Sequence, residues 1–296
     1  MEAQTIEIKE AKLGEIGAEI KGLDVKSLTP DAPELQTIRE LIYRNKLITL
    51  RGQELSPSAY VAFTRKLGRP QVYFQTNYHH PDYPEIFVSS NVEEDDGKKV
   101  GVSGTGRYWH TDCSFEKKPL SFTSILPQVF PKTLRETYYI DMHKVYNLLP
   151  AELKSYVEGA TAVHEGKLRY KVQATDIDRS LLELLERIHN EVPPVFHPAV
   201  IQHPVTEDKI LYLNSGFTTK LVGLSYEENE KVMKALFEFI EKEEHVHKHT
   251  WEEGDLIIWD NRYLLHKASS LPKGEKSKSY RIGIYDDAPF YIGLEK

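Results

Sequence analysis

Four short apolar segments follow one another near the end of the chain, and they constrain the fold more than any other stretch of the sequence. They lie within residues 245–286 and read HVHKHTWE, DLIIWDN, YLLHKAS and SYRIGIYD, with turn residues between them. Short strands at regular spacing are typical of an antiparallel sandwich or barrel. The sequence therefore predicts a mostly β core.

Helical patterns occur earlier in the chain and between the predicted strands. Residues 31–45 carry apolar side chains at helical spacing. The clearest helix spans residues 225–244, where Ser225 and Glu228 form a capping box. We therefore expect an α+β protein in which helices pack outside the β core.

We expect residues 1–296 to form a single domain with two insertions. Residues 71–122 are rich in polar turns and aromatic side chains, which predicts inserted loops around an active site. Residues 144–158 and 178–190 show helical spacing, which predicts a helical insertion around residues 144–190.

Composition excludes several classes of function. The net charge is -7, from 38 basic and 45 acidic residues, and no basic stripe suggests binding to nucleic acid. No apolar run approaches the roughly 18 residues of a membrane span, and the first residues lack the pattern of a signal peptide. A single cysteine, Cys113, excludes an internal disulfide. These features predict a cytoplasmic protein, and the small-molecule partner that we expect rests on the resemblance given below.

Three dispersed residues could bind one metal ion. His110 and Asp112 would point to the same face if they lay on a strand. His266, at the end of WDNRYLLH, could complete a 2-His-1-carboxylate set, which binds Fe(II) and leaves positions open for a co-substrate and dioxygen. An isolated His-x-Asp also arises by chance in a solvated turn. Arg281 follows His266 and could hold a carboxylate of a 2-oxo acid in a bidentate pair.

Taken together, these motifs resemble the taurine/2,4-D dioxygenase family of Fe(II)- and 2-oxoglutarate-dependent oxygenases. The resemblance covers roughly residues 5–288 and implies a double-stranded β-helix (jelly roll) with flanking helices. It implies that His110, Asp112 and His266 bind iron and that Arg281 pairs with the distal carboxylate of 2-oxoglutarate. Thr137 lies where the family has a threonine that binds this co-substrate. Relatives often associate, which makes a homo-oligomer a further expectation.

A narrower likeness points to the isonitrile-forming branch of that family. It rests on LGRPQVYFQTNYHHP, EIFVSSNV, YWHTDCSF, ILPQVFP, ETYYIDM and LIIWDNRYLLH. Enzymes of this branch oxidise and decarboxylate an N-carboxymethyl-3-amino fatty acid with two rounds of 2-oxoglutarate and dioxygen. The likeness implies a carboxylated amine substrate held by Tyr73, Tyr78 and Lys171. It also places Arg135 near the co-substrate.

Two positions depart from that branch. Phe74 lacks the hydroxyl of a tyrosine, and Gln173 lacks the guanidinium of an arginine. Arg169 would restore the missing charge if residues 169, 171 and 173 shared a strand face. Tyr73 or Tyr78 could orient an amine or carry a proton, whereas the pair Tyr138–Tyr139 fits sheet packing.

Three functions therefore stay open. The first is isonitrile formation. The second is hydroxylation of another small carboxylated or amino acid-like substrate, and the third is a catalytically silent jelly-roll binding protein. The intact metal motif and Arg281 favour an enzyme over the silent protein.

Overall fold

The structure is a computed structural model that describes residues 5–12, 15–94, 97, 99–133, 135–172 and 176–294. Its strands are β1 (Glu7–Glu10), β2 (Ala18–Lys21), β3 (Leu47–Leu50), β4 (Arg69–Pro70), β5 (Phe87–Ser90), β6 (Phe122–Val129), β7 (Glu136–Asp141), β8 (Thr161–His164), β9 (Val195–Pro198), β10 (Val200–Gln202), β11 (Lys209–Leu211), β12 (Thr218–Leu221), β13 (Val246–Thr250), β14 (Leu256–Asp260), β15 (Leu264–Ala268) and β16 (Lys278–Tyr285). Its α-helices are α1 (Pro33–Asn45), α2 (Pro57–Leu67), α3 (Met142–Leu148), α4 (Ala151–Val157), α5 (Leu181–Glu191) and α6 (Tyr226–Ile240).

Four strands at the end of the chain confirm the predicted β pattern, and successive strands alternate between two sheets. β14 and β16 belong to an eight-stranded sheet with the order β1-β2-β3-β14-β6-β16-β4, in which β5 also pairs with β16. β13 and β15 flank β7 in a three-stranded sheet. The chain therefore crosses repeatedly between the two sheets, so residues far apart in sequence meet in the space between them.

The large sheet buries both of its faces. On one face, Ile258 of β14 packs with Ile48 of β3 and with Ile38 and Ile42 of α1. On the other face, Trp259 packs in one cluster with residues of the three-stranded sheet. This alternation of neighbouring residues between two cores explains why the strand LIIWD is apolar at nearly every position.

α1 and α6 confirm the helices that are predicted in residues 31–45 and 225–244. Ser225 caps α6 with the expected capping box to Glu228, and Ser56 caps α2. The predicted helix in residues 144–158 is divided into α3 and α4 by Pro150, which cannot continue a helix from the preceding turn.

The two predicted insertions differ in their secondary structure. Residues 71–122 contain only β5, a 3-10 turn at Thr76–Tyr78 and loops among the parts that the structure describes. Residues 144–190 are helical at both ends, with β8 and a 3-10 helix, Gly166–Arg169, between them. Among the described residues, no helix is both long and apolar enough to cross a membrane.

Candidate metal and co-substrate site

The three predicted metal ligands lie together between the two sheets. His266 lies on β15, and His110 pairs with it in an isolated bridge through two backbone hydrogen bonds of 3.1 and 2.8 Å. Asp112 lies in the turn that follows. The expectation that His110 and Asp112 share a strand face is therefore wrong, because the chain turns directly after the bridge.

The geometry of this triad fits a metal ion. One ligand atom from each of His110, Asp112 and His266 lies within 4.8 Å of the others, and all three side chains are buried. The other ring nitrogen of His110, Nδ1, lies 2.8 Å from the backbone oxygen of Tyr108. That contact leaves Nε2 as the nitrogen that would hold an ion, as is usual for a metal-binding histidine.

Electrostatics favours the protonation states that a metal requires. Burial raises the pKa of Asp112, but Arg281 and His266 outweigh burial and hold the pKa well below its usual range. Burial and the neighbouring His110 lower the pKa of His266 to about 3. The Asp112 carboxylate and a neutral His266 imidazole are therefore present at neutral pH, and these are the forms that bind a divalent ion.

The WDNR motif holds the carboxylate ligand through a chain of hydrogen bonds. Trp259 donates from Nε1 to Asn261 over 2.9 Å, and Asn261 donates to the Thr123 hydroxyl over 2.9 Å. Thr123 in turn donates to Asp112 Oδ2 over 2.7 Å. Sequence reasoning missed Thr123 because it lies on β6, outside every local motif.

Arg281 is buried beside the triad. Its Nη1 donates to Asp112 Oδ1 over 2.8 Å, while its Nε is buried and has no hydrogen-bond partner among the described residues. The predicted role of Arg281 toward 2-oxoglutarate stays a prediction. In this structure the guanidinium orients a metal ligand and keeps one donor free.

Two other predicted co-substrate residues lie at the start of β7. Arg135 donates to the Ser279 hydroxyl over 2.8 Å. Thr137 is buried and accepts a hydrogen bond of 2.9 Å from Trp251. Ser279 and Arg281 are two residues apart on β16, so their side chains point to the same side of the sheet. Arg135 is thereby joined to the strand that carries Arg281.

A cavity of about 370 Å³ opens next to the triad. It brings together most of the predicted substrate residues, Tyr73, Phe74, Tyr78, Arg169 and Lys171, with His110, Asp112 and Arg281. Aromatic side chains that the sequence analysis did not single out complete its wall, namely Phe87, Tyr108, Phe115, Tyr170 and Phe217. Phe87 lies on β5 and the others lie in loops that are distant from one another in sequence, so no local sequence signal connects all five.

The segment that carries the predicted substrate cations differs from the expectation. Arg169 ends a 3-10 helix and is not part of a strand, so the shared strand face does not exist. Both Arg169 and Lys171 nevertheless line the cavity. Gln173 lies outside the described residues.

Comparison with known proteins identifies the family. The model of the family described as "Taurine catabolism dioxygenase TauD, TfdA family" matches residues 7–282. The chain belongs to this family. Together with the triad, this membership makes the protein an Fe(II)- and 2-oxoglutarate-dependent dioxygenase that uses O2 as co-substrate.

Curated relatives of the TauD/TfdA family agree with this assignment. The chain is 29% identical over 264 residues to the alpha-ketoglutarate-dependent 2,4-dichlorophenoxyacetate dioxygenase of Cupriavidus pinatubonensis, covering 86% of this chain and 90% of the relative. It is 28% identical over 259 residues to an alpha-ketoglutarate-dependent sulfate ester dioxygenase of Pseudomonas putida, covering 86% and 81%. A taurine dioxygenase structure from Burkholderia xenovorans superposes with a TM-score of 0.75 at 25% identity, covering 98% of this chain and 94% of that one.

Proposed function

We propose that this dioxygenase converts an N-carboxymethyl-3-amino acid to an isonitrile. The observation that carries the proposal is the cavity beside the triad, which combines the hydroxyls of Tyr73 and Tyr78 with the cations Arg169 and Lys171. We also infer that the two packed sheets form the double-stranded β-helix that the resemblance implies. The metal and co-substrate roles predicted for His110, Asp112, His266, Arg281, Thr137 and Arg135 are part of the same proposal.

The charge around the cavity favours an anionic substrate. Lys171 donates from Nζ to the backbone oxygen of Ser103 over 2.9 Å, and Arg169 donates to the backbone oxygen of Gly216 over 3.3 Å. Among the described residues, neither cation has a carboxylate partner within 4 Å. Burial, and then the positive charge of Arg107, lower the pKa of Lys171. A carboxylate that enters here would gain charge-assisted hydrogen bonds.

A relative supports the position of the oxidised carbon. The substrate named for the Cupriavidus enzyme, 2,4-dichlorophenoxyacetate, has a methylene group between an ether oxygen and a carboxylate. The proposed substrate has a methylene group between an amine nitrogen and a carboxylate. Both molecules therefore offer C–H bonds that lie between a heteroatom and a carboxylate.

The iron site supplies the oxidant when Fe(II), 2-oxoglutarate and O2 are bound, and the chain positions the substrate. In the proposed reaction the N-carboxymethyl amine loses four electrons and four protons, its carboxylate leaves as CO2, and two O2 molecules are consumed with two 2-oxoglutarate molecules. The products are one isonitrile, two succinates, three CO2 in total and two water molecules. Both the amine hydrogen and the methylene hydrogens must therefore be removed.

Tyr73 and Tyr78 are placed to orient the amine. Burial raises the pKa of Tyr78 to about 12 and raises that of Tyr73 well above its ordinary value. Both phenols stay protonated at neutral pH, so each can donate one hydrogen bond and accept another. Their rings pack edge to face, with centroids 5.4 Å apart, and both residues line the cavity.

Hydroxylation of another small carboxylated substrate is the second candidate, and Phe74 favours it. This side chain lines the cavity and brings no hydroxyl to the position where the isonitrile-forming branch has a tyrosine. With one fewer polar contact, a hydroxylated product could leave before a second oxidation.

Product analysis distinguishes the two candidates. The Fe(II)-loaded enzyme is incubated with 2-oxoglutarate, O2 and a 3-[(carboxymethyl)amino] acid, and the products are followed by mass spectrometry and by capture of the isonitrile with a tetrazine. We expect an isonitrile and two succinates for each molecule of product. A stable alcohol with one succinate would support hydroxylation, and succinate formation that does not depend on the amine would contradict both substrate assignments.

The variant Lys171→Met tests the substrate cation. Loss of one charge-assisted hydrogen bond to a substrate carboxylate costs about 1.5–3 kcal/mol, so we expect KM for the amine to rise about tenfold or more with a smaller change in kcat. Lys167→Met is the matched control, because Lys167 is an exposed lysine of the same segment that pairs with Glu165. An equal change of KM in both variants would contradict the role of Lys171.

A further inference from the structure

Tyr139 is an unexplained polar residue beside the metal site. It is fully buried on β7, and its hydroxyl has no hydrogen-bond partner among the described residues. Buried polar groups almost always find a partner, so an unpartnered phenol indicates a group that is absent here. Packing alone does not require the hydroxyl, because phenylalanine would fill the same space.

The strand register places this phenol next to a metal ligand. Tyr139 lies directly across from His266 in the antiparallel pair of β7 and β15, so both side chains lie on the same face. Their ring centroids are 6.4 Å apart, and Trp259 packs 5.5 Å from Tyr139. Tyr139 also shares a face of β7 with Thr137.

The charged groups around Tyr139 indicate what kind of ligand would fit beside its hydroxyl. Burial raises its pKa, with Asp112 adding to this effect and Arg135 opposing it, so the charges of both residues act on the phenol. Burial also lowers the pKa of Arg135 to about 10. Arg135 has no carboxylate partner within 4 Å in the described part of the chain. A desolvated cation and a free hydroxyl together fit an anionic oxygen.

We propose that the Tyr139 hydroxyl donates a hydrogen bond to the distal carboxylate of 2-oxoglutarate and positions the co-substrate together with Arg135. This proposal rests on the co-substrate of the family and not on the amine substrate proposed above. It assigns a binding role to a tyrosine that the sequence pattern assigns to sheet packing.

The variant Tyr139→Phe tests the proposal without the amine substrate. We expect the Kd of 2-oxoglutarate to rise about tenfold or more, as measured anaerobically from the visible band of the Fe(II) enzyme and by calorimetry on the Zn(II)-loaded enzyme. Pyruvate lacks the second carboxylate, so its affinity should not change. Without co-substrate, the variant should unfold at the same temperature as the parent or higher, because it no longer buries an unpartnered hydroxyl.

Tyr138→Phe is the matched control. Tyr138 directly precedes Tyr139 on β7, so its side chain lies on the opposite face of the strand from Tyr139. It donates a hydrogen bond to Glu136 over 2.8 Å. Its variant should bind 2-oxoglutarate as the parent does. Unchanged affinity in Tyr139→Phe, an equal loss of affinity for pyruvate, or a lower unfolding temperature would each overturn the proposed role.

Discussion

Replacing His266 with alanine is expected to abolish turnover and to weaken Fe(II) binding by more than about a hundredfold. Changes to groups that only support a metal ligand cost about 10- to 100-fold in affinity, so loss of a ligand itself should cost more. The substitution should leave the local hydrogen bonds intact. His266 Nδ1 has no partner among the described residues, and the bridge to His110 is made by backbone atoms. Anaerobic titration with Fe(II), followed by addition of 2-oxoglutarate, measures binding through the weak visible band.

Two further variants separate ligand loss from damage to the fold. His266→Gln keeps most of the side-chain volume and should also lose the band. His143→Ala removes a partly exposed histidine on α3, which contacts the backbone oxygen of Lys209, and should bind iron as the parent does. A normal band in His266→Gln, with iron in equal amount, would contradict the assignment of this ligand.

The strands were predictable because their signal is local. In LIIWD and the neighbouring strands, apolar residues and turns follow one another within a few positions, and the structure confirms all four strands of residues 246–285. Their partners were not predictable. β14 pairs with β3 and β6, so the neighbours of Ile257 are Thr49 and Ile125. Such long-range pairing depends on the packing of whole sheets and leaves no trace in a short window.

The metal triad was predictable because its residues stand in short motifs, whereas its supporting residues were not. Thr123 donates to Asp112 from a strand that its short motif does not include, and Tyr139 meets His266 only through the pairing of β7 with β15. The predicted strand face shared by Arg169 and Lys171 was wrong. Two cations at positions i and i+2 fit a strand pattern, but Arg169 ends a 3-10 helix. Tight packing constrains the backbone of this segment at Gly166, because a Cβ atom there would lie 2.6 Å from Val192 and 2.7 Å from Phe115.

Replacing Arg262 with methionine is expected to lower the free energy of unfolding by about 3–5 kcal/mol, because removal of one partner leaves buried charges uncompensated. Arg262 is the arginine of the WDNR motif and lies in the turn that leads to β15. It donates to Asp260 over 3.1 Å and to Asp286 over 2.8 Å, and the paired atoms are fully buried. It also donates to the backbone oxygen of Phe290 over 2.8 Å. Urea denaturation measures the change.

Arg44→Met is the control for an exposed ion pair. Arg44 lies 2.6 Å from Glu10 with 63% of its side chain exposed, and such pairs contribute at most about 1 kcal/mol. Adding Asp286→Asn to Arg262→Met should recover part of the lost stability, because one uncompensated charge is removed. If Arg262→Met costs no more than the exposed control, the motif arginine does not anchor this turn, and its place next to the strand of His266 must have another cause.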